Sequence, residues 1–483
     1  MFRRFIGWIR QVLGRMFLNN QNVKDVAGDV IVSDEMSRAI DLWFSLYVGN
    51  APWLKEDNRS LGLPAIIASE LARLTTLEMQ VSVSGSPRAE YINEQLDDVL
   101  DHIRVDCEYG CAGGGLMFKP YVDGDKVAVE AVKADAFYPL SFSRGKITAA
   151  VFVERKKDGK DYYTRIEAHK LDGTTYTVTN KAYKSGQENQ LGVECTLQSV
   201  PEWESLAPET VIENIEAPLF AYFKVPLGNT VDMNSPLGVS VYSRAISKIK
   251  DADRIYQGMM WEFEGGELAL DVSRDALVKD ERGNDVLPVG KERLYRKNDL
   301  DPLSTNGDNL MVPWAPALRD ESYKNGLNAV LQKIELDVGL AYGTISDPMI
   351  VDKTAEEIRS SKQRSASTVT DIQKALQNAF DDLIYAIDVL ATLYELAPEG
   401  DYETSYQWDD SIVVDSRTER EIDRQDCRDG AMQWWEYRMK WYGEDEETAK
   451  RMTGATDQMT DDQLMGFGTG ANQNRQNTQT EAV

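Results

Sequence analysis

The chain has 483 residues, 42% of them hydrophobic, enough for several folded domains of about 150 residues each. Lys and Arg number 53 against 80 Asp and Glu, a formal net charge of −27, with a pI near 4.6. This argues against a protein that grips nucleic acid by neutralising phosphates, although an acidic wall suits a conduit that must not hold the DNA it passes.

The first 17 residues mix arginines with large apolar side chains. Arg10 and Arg15 interrupt any apolar core of signal-peptide length, no small-residue cleavage site follows, and the stretch does not read as a membrane span. It is either an amphipathic helix that touches a membrane surface or a partner, or an arm that packs on its own protein or a neighbouring subunit. Cys107, Cys111, Cys195 and Cys427 are too scattered for a disulfide framework and suit a reducing cytoplasm. With His102 and His169 as the two histidines, no structural zinc and no cofactor is expected.

Helices are expected from Ser33, from Gly62-Leu-Pro64 with proline in the first turn, and over 89–107. The glycine cluster in Tyr109-Gly-Cys-Ala-Gly-Gly-Gly-Leu-Met-Phe-Lys-Pro-Tyr-Val122 lacks Gly-Lys-Ser/Thr and leads into a strand, so no helix N-terminus waits to hold phosphate. From Asp125 to Thr196 the pattern becomes β. Ile147 to Glu154 alternates, Asp158-Gly159 and Asp172-Gly173 supply tight turns, and strands over 162–169 and 174–183 complete an antiparallel meander. Its Tyr162, Tyr163 and Tyr176 read as sheet packing rather than a base-stacking platform. A further strand covers 219–226. Helices followed by strands indicate an α+β fold.

A helix is then expected from about Pro236 to Phe263, with Val239, Tyr242, Ile246, Ile249, Ile255 and Met259 on one face and Arg244, Lys248, Lys250, Asp251, Asp253 and Arg254 on the other. After Gly265-Gly266 come roughly 50 residues of short strands and turns. A second helix over 321–340 carries Leu327, Val330, Leu331, Ile334 and Val338 on one side. Two helices that leave and return to one body, with a small module at the far end, form a protruding arm suited to meeting another protein.

The run Gly343-Thr-Ile-Ser-Asp-Pro-Met-Ile-Val-Asp-Lys-Thr-Ala-Glu-Glu-Ile358 leads into the longest helical pattern, from Lys353 to Ala397. Pro348 breaks what precedes, Thr354 can cap, and Glu357 completes a capping box. Val369, Ile372, Leu376, Phe380, Leu383, Ile387 and Leu390 then recur at steps of three and four. About 43 helical residues span roughly 65 Å. The first turns, 359–368, lack an apolar stripe and should be solvated or face polar surfaces of neighbours. A coiled-coil arm or a bundle helix would show the same periodicity.

Beyond Asp409, a Ser416/Glu419 capping box opens a helix expected to end near Trp441-Tyr-Gly443, followed by 444–452. Trp434, Trp435 and Trp441 form an aromatic cluster, either packing within a helical domain or lining a ligand site. The Gly/Asn/Gln/Thr-rich end, 469–483, should be a mobile tail.

This order of parts resembles that of tailed-phage portal proteins, particularly the branch found in siphophages of Gram-positive bacteria. The resemblance is carried by the Gly110–Tyr121 segment, the helix, insert, helix region at 236–340, the Gly343–Ile358 run and the Asp409–Met452 ending, and covers most of the chain from about residue 33. The family's loop-to-helix motif is commonly Lys-Thr-Ala-Thr-Glu, whereas Lys353-Thr-Ala-Glu-Glu357 has Glu356 in place of the second threonine. Beyond an amphipathic arm at 1–32, the resemblance implies an α+β portal fold: a helical and β wing at 33–235, a two-helix stem at 236–265 and 319–341, a small α/β clip at 266–318, a tunnel loop at 342–353, a long wing helix and connection at 354–408, a helical crown at 409–468 and a tail at 469–483. It implies a homo-oligomeric ring, normally of twelve subunits, at one capsid vertex, through which double-stranded DNA is packaged and ejected. Its partners would be the large terminase subunit, which hydrolyses the ATP, then a head-tail adaptor, with the major capsid and scaffolding proteins around it. The chain itself would be no enzyme. It would assemble in the host bacterial cytoplasm and reside in the virion.

In that fold the DNA-facing loop would be Ser346, Asp347, Pro348, Met349, Ile350, Val351, Asp352 and Lys353. Apolar Met349, Ile350 and Val351 can ride over DNA without ionic capture, while Asp347 and Asp352 oppose phosphate adhesion, which describes a low-friction collar or one-way gate. Arg244, Lys248, Lys250 and Arg254 on the stem supply either a weak positive ring or a solvated or subunit-pairing face. Two rival classes stand beside this reading. A carboxylate-dependent nuclease would need acid pairs accompanied by a catalytic lysine or histidine, and the acids here fall in caps, turns and helix faces. A membrane-associated scaffold would use the basic N-terminal segment, but no membrane partner is expected of a portal.

Overall fold

A computed structural model of the chain describes residues 22–28, 30–54, 59–77, 79–188, 190–266, 269–273, 282, 295–298, 311–314, 317–347, 355–408 and 416–454. The N-terminal arm up to residue 21, the loop residues Pro348 to Lys353, the Thr354 cap and the 469–483 tail lie outside them. The chain forms two compact units, Met1–Asp409 and Asp410–Val483.

In the first unit a short helix over 22–27 precedes α1 (Asp34–Tyr47), which starts where its sequence dictates: Ser33 is extended and its hydroxyl accepts from the Met36 N–H. α2 (Leu63–Thr76) has its proline in the first turn. After β1 (Gln80–Ser84) comes α3 (Pro87–Gly113), which runs past the expected end at Cys107 and takes Gly110 and Gly113 into the helix. Close packing is the reason. A Cβ on Gly110 would lie 2.6 Å from the Phe223 ring, and one on Gly113 would lie 2.7 Å from Phe44. Gly114 then turns the chain at φ +89°, a conformation suited to glycine. The glycine cluster is thus a tightly packed helix-to-strand junction.

The strands that follow are β2 (Gly115–Asp123), β3 (Lys126–Lys133), β4 (Phe137–Ser143), β5 (Lys146–Asp158), β6 (Asp161–Asp172), β7 (Thr175–Ser185), β8 (Val193–Cys195), β9 (Glu209–Ile212) and β10 (Ala221–Lys224). β4 to β8 form the expected antiparallel meander, with β9 also paired to β7. Gly159 and Gly173 sit at φ +58° and +63° in its tight turns. A second antiparallel sheet has the order β10-β2-β3.

The helix expected from Pro236 starts ten residues later, as α4 (Ile246–Gly265) after a 3-10 turn over Ser243–Ala245. Leu237, Val239 and Val241 are buried at a spacing of two rather than three or four, and the segment tucks against the glycine junction, with the Val241 N–H donating to the Cys111 carbonyl. In the insert, β11 (Ala269–Ser273) lies between β12 (Tyr295–Asn298), parallel to it, and β13 (Met311–Trp314), antiparallel. α5 (Asp320–Val338) returns the chain to the body, and α6 (Ala355–Leu393) follows. β14 (Glu403–Gln407) pairs with β1.

All seven stripe residues of α6, Val369 to Leu390, are buried. They lie across β10 and β2, and Phe380 stacks on Phe118 at 6.2 Å. Toward its start Ser360, Lys362 and Gln363 are exposed, as the missing stripe predicts, and burial begins at Ser365. The C-terminal end of α6 is held by Arg88, at 1% exposure. Its guanidinium donates to the carbonyls of Asp388, Ala397 and Pro398 and to the Thr392 hydroxyl at 2.9–3.2 Å.

The β sheets also bury charge. Lys119 bonds Glu167 at 2.8 Å and Glu130 at 2.9 Å, and Glu167 also takes Arg165 and His169. Burial alone would raise the Glu167 carboxyl, but the hydrogen bond and charge of His169, with Lys119 and Arg165, hold it far below its ordinary value of 4.5. A depressed carboxylate contributes stability that is complete above the unfolded value and lost as pH falls. Thermal stability should therefore decline from about pH 5 downward, and Glu167→Gln should flatten that slope while lowering stability at pH 7; an unchanged slope in the variant would remove Glu167 as its source.

The second unit comprises α7 (Ser416–Asp429), α8 (Trp434–Tyr442) and α9 (Glu446–Gly454). The single helix expected over 416–441 breaks at Gly430, φ +77°, and α8 restarts on a Gln433/Glu436 capping box. The aromatic cluster centres on buried Tyr437, with Trp434 and Trp441 at 5.7 and 6.4 Å. Trp435 instead lies under Lys450. This is packing within a helical unit.

Candidate functional site

α4 and α5 form an antiparallel pair stapled at both ends. Lys248 pairs with Asp337 at one end. At the other, Arg319 grips Glu262 with two nitrogens, and between them Gly258 makes room for Tyr323. Of the basic residues expected on the stem, Arg244, Lys250 and Arg254 are exposed and, among the described residues, have no carboxylate partner; Lys248 is occupied by its pair with Asp337. Asp253, assigned to the same polar face by its sequence, is instead fully buried. It accepts from the Trp53 indole and the Leu61 N–H, both at 2.9 Å, and so anchors α4 to the segment before α2.

The loop after α5 leaves through Gly339, at φ +77°, where a Cβ would fall 2.2 Å from the Thr368 hydroxyl of α6. α6 therefore extends about 20 Å beyond this point, the rise of 13 helical residues back to Ala355. Residues 340–354 bridge that span. Their first part is fixed by two side chains of α5. Glu335, fully buried, accepts from the N–H groups of Ile345 and Ser346 at 2.8 and 2.9 Å and from the Ser346 hydroxyl at 2.8 Å. Asn328 accepts from the Asp347 N–H at 2.7 Å and donates to its carbonyl at 3.2 Å. The root of the loop is clamped through its backbone up to Asp347, and Ser346 is part of the clamp, facing inward rather than into open space.

Sequence reading missed Glu335, Asn328 and Arg88 and put Asp253 on the solvated face. Three of these had a signal in their place beside the apolar stripe of a helix: Glu335 follows Ile334 and comes four residues after Leu331, Asn328 follows Leu327, and Asp253 comes four residues after Ile249. Arg88 had none, since its partners lie some 300 residues away.

The sequence family described as "Phage portal protein, SPP1 Gp6-like" matches residues 88–425, well over half of the chain. The chain belongs to the phage portal family. Among solved structures this portal chain is similar to the neck of a native GTA particle, obtained with C12 symmetry, at 12% identity over 82% of this chain and 91% of that one, with a TM-score of 0.40. It is also similar to the neck of an empty GTA particle, obtained with C6 symmetry, at 11% identity over 86% and 96%, with a TM-score of 0.41. No curated protein matches it. The portal family is structural rather than enzymatic, and its members are components of the virion. Among the described residues no helix is long and apolar enough to cross a membrane, and no three His, Cys, Asp or Glu side chains converge as metal ligands.

Proposed function

We propose that this portal chain assembles, in a siphophage of a Gram-positive host, into a ring of about a dozen subunits at one capsid vertex, a closed head-to-tail arrangement, and that double-stranded DNA passes through its centre during packaging and ejection. Residues 33–235 and 354–408 form the wing, 236–265 and 319–341 the stem, 266–318 the clip that docks the large terminase subunit and then the head-tail adaptor, and 409–468 the crown. Capsid and scaffolding proteins surround the ring. The loop 342–353 lines the channel, with Met349, Ile350 and Val351 as a low-adhesion contact for DNA and Arg244, Lys250 and Arg254 on the stem.

The observation that carries this reading is the clamp at the loop root, in a chain of portal family. A segment that must meet a moving polymer needs a rigid base, and Glu335 and Asn328 provide one by holding backbone rather than side chains. Electron microscopy of the purified protein should show rings with a central hole; monomers that cleave DNA with a divalent metal would instead make the chain a nuclease. Replacing Met349, Ile350 and Val351 by serine should leave rings intact and impair packaging or retention of DNA. Packaged genomes of normal length and normal retention would remove the loop from this role.

A further inference from the structure

Strand β3 forms one edge of its sheet, which has the order β10-β2-β3. In an antiparallel pair, alternate residues turn their N–H and C=O toward the partner strand and the others turn theirs away. The Val127 N–H points away from β2, because the Gln95 side chain of α3 accepts it at 3.1 Å. Val129 and Ala131 stand in the same phase of the ladder, and among the described residues their N–H and C=O groups have no partner. At β1 the same helix closes an edge in the same manner, with Asn93 bonding both the N–H and the C=O of Val83. α3 thus caps two strand edges with side-chain amides and leaves β3 open from Val129 to Ala131. An open edge is a template for one more strand.

A cavity lies on each side of that open stretch, and Ala131 lines both. The one toward α3, of about 430 Å³, presents Asp98 and Asp106 and, among the described residues, no Lys or Arg. The one toward β5, of about 310 Å³, is lined by four basic and four acidic side chains; Lys119 pairs with Glu167 at 2.8 Å and Arg165 with Glu154 at 2.9 Å, so charge cancels inside it. Successive side chains of a strand point to opposite faces. A strand added at Val129 and Ala131 would therefore send its side chains in turn to an acidic cavity and a neutral one. We propose that β3 is a docking edge for an extended segment of a partner protein in which Lys or Arg alternates with small uncharged residues such as Val or Thr. Backbone hydrogen bonds supply the affinity and the two cavities select the sequence. The edge is separate from the stem, clip and loop, so the inference goes beyond the channel and does not depend on it.

The probe is the peptide acetyl-Val-Lys-Val-Lys-Val-Lys-amide, titrated into the full chain by calorimetry. Two further versions carry N-methyl groups on the lysine amides or on the valine amides. Only one of these sets can face β3, so one version should bind about tenfold more weakly while the other binds like the parent. With the edge about nine-tenths occupied, amide exchange at Val129 and Ala131 should slow about tenfold, while Ala128 and Glu130, in the phase that faces β2, keep their rates. Ala131→Pro removes one outward N–H where an edge strand tolerates proline and should weaken binding; the methylated peptides test the same bonds with the parent chain. Asp98→Asn with Asp106→Asn should reduce the preference for this peptide over its Val-Glu counterpart. Equal affinities for the three Val-Lys peptides would overturn the proposal. So would Val129 and Ala131 amides already protected in the purified chain, because a second copy or another part of this chain would then hold the edge.

Discussion

Arg88→Ala should destabilise the first unit by about 3–5 kcal/mol, the range for removing one member of a buried charged network. The guanidinium is enclosed and satisfies three carbonyls and one hydroxyl at the end of α6, where helix carbonyls lack intrahelical partners and a cation is favoured by the macrodipole. Alanine removes those donors: the Asp388 carbonyl keeps the Thr392 hydroxyl, but the carbonyls of Ala397 and Pro398 lose a charged donor whose side chain is 1% exposed. Domain stabilities of about 5–15 kcal/mol make such a loss visible as a large drop in the urea midpoint. Arg88→Lys should recover less than half of it, because one ammonium cannot reproduce the geometry of a planar fork. A Lys variant as stable as the parent would mean that charge alone, not the fan of hydrogen bonds, holds the helix end.

Glu335→Ala should also have a large effect, and its signature is local. Two backbone N–H groups and one hydroxyl lose their acceptor at a site closed to solvent, and buried unsatisfied donors cost about 1–3 kcal/mol each. Amide exchange at Ile345 and Ser346 should accelerate strongly while the helical amides of α4 and α5 stay protected. Ser346→Ala removes two hydrogen bonds, the one its hydroxyl donates to Glu335 and the one it accepts from the Gly343 N–H, and should cost about 1–3 kcal/mol, leaving the Ile345 and Ser346 amides bound to the carboxylate. Equal exchange in the two variants would show that the carboxylate does not set the loop root. If rings of Glu335→Ala form and still package DNA at the parental rate, the clamp is a folding device and not part of channel function.

The physical basis for these two effects also explains which parts were legible in advance. Capping at Ser33, the proline-led start of α2, the meander with its Asp-Gly turns and the buried stripe of α6 are local patterns, each set by residues within a few turns of one another. The late start of α4 was misread because Val239, Tyr242 and Ile246 also fit a helical spacing, and only contact with Gly114 and Cys111 decides for a non-helical path. The continuous helix expected over 416–441 failed for a local reason, a Gly430 that takes a left-handed turn.

Local order along the chain therefore indicated most element types, the acidic composition and the family, because propensity, periodicity and motif spacing are properties of short segments. Arg88 meeting the carbonyl of Pro398, Asp253 meeting Trp53 and Glu335 reaching forward to Ser346 were decided by the assembled fold. A charged side chain can be buried only where donors and acceptors from distant segments converge on it, and that convergence exists only once α3, α5 and α6 have packed.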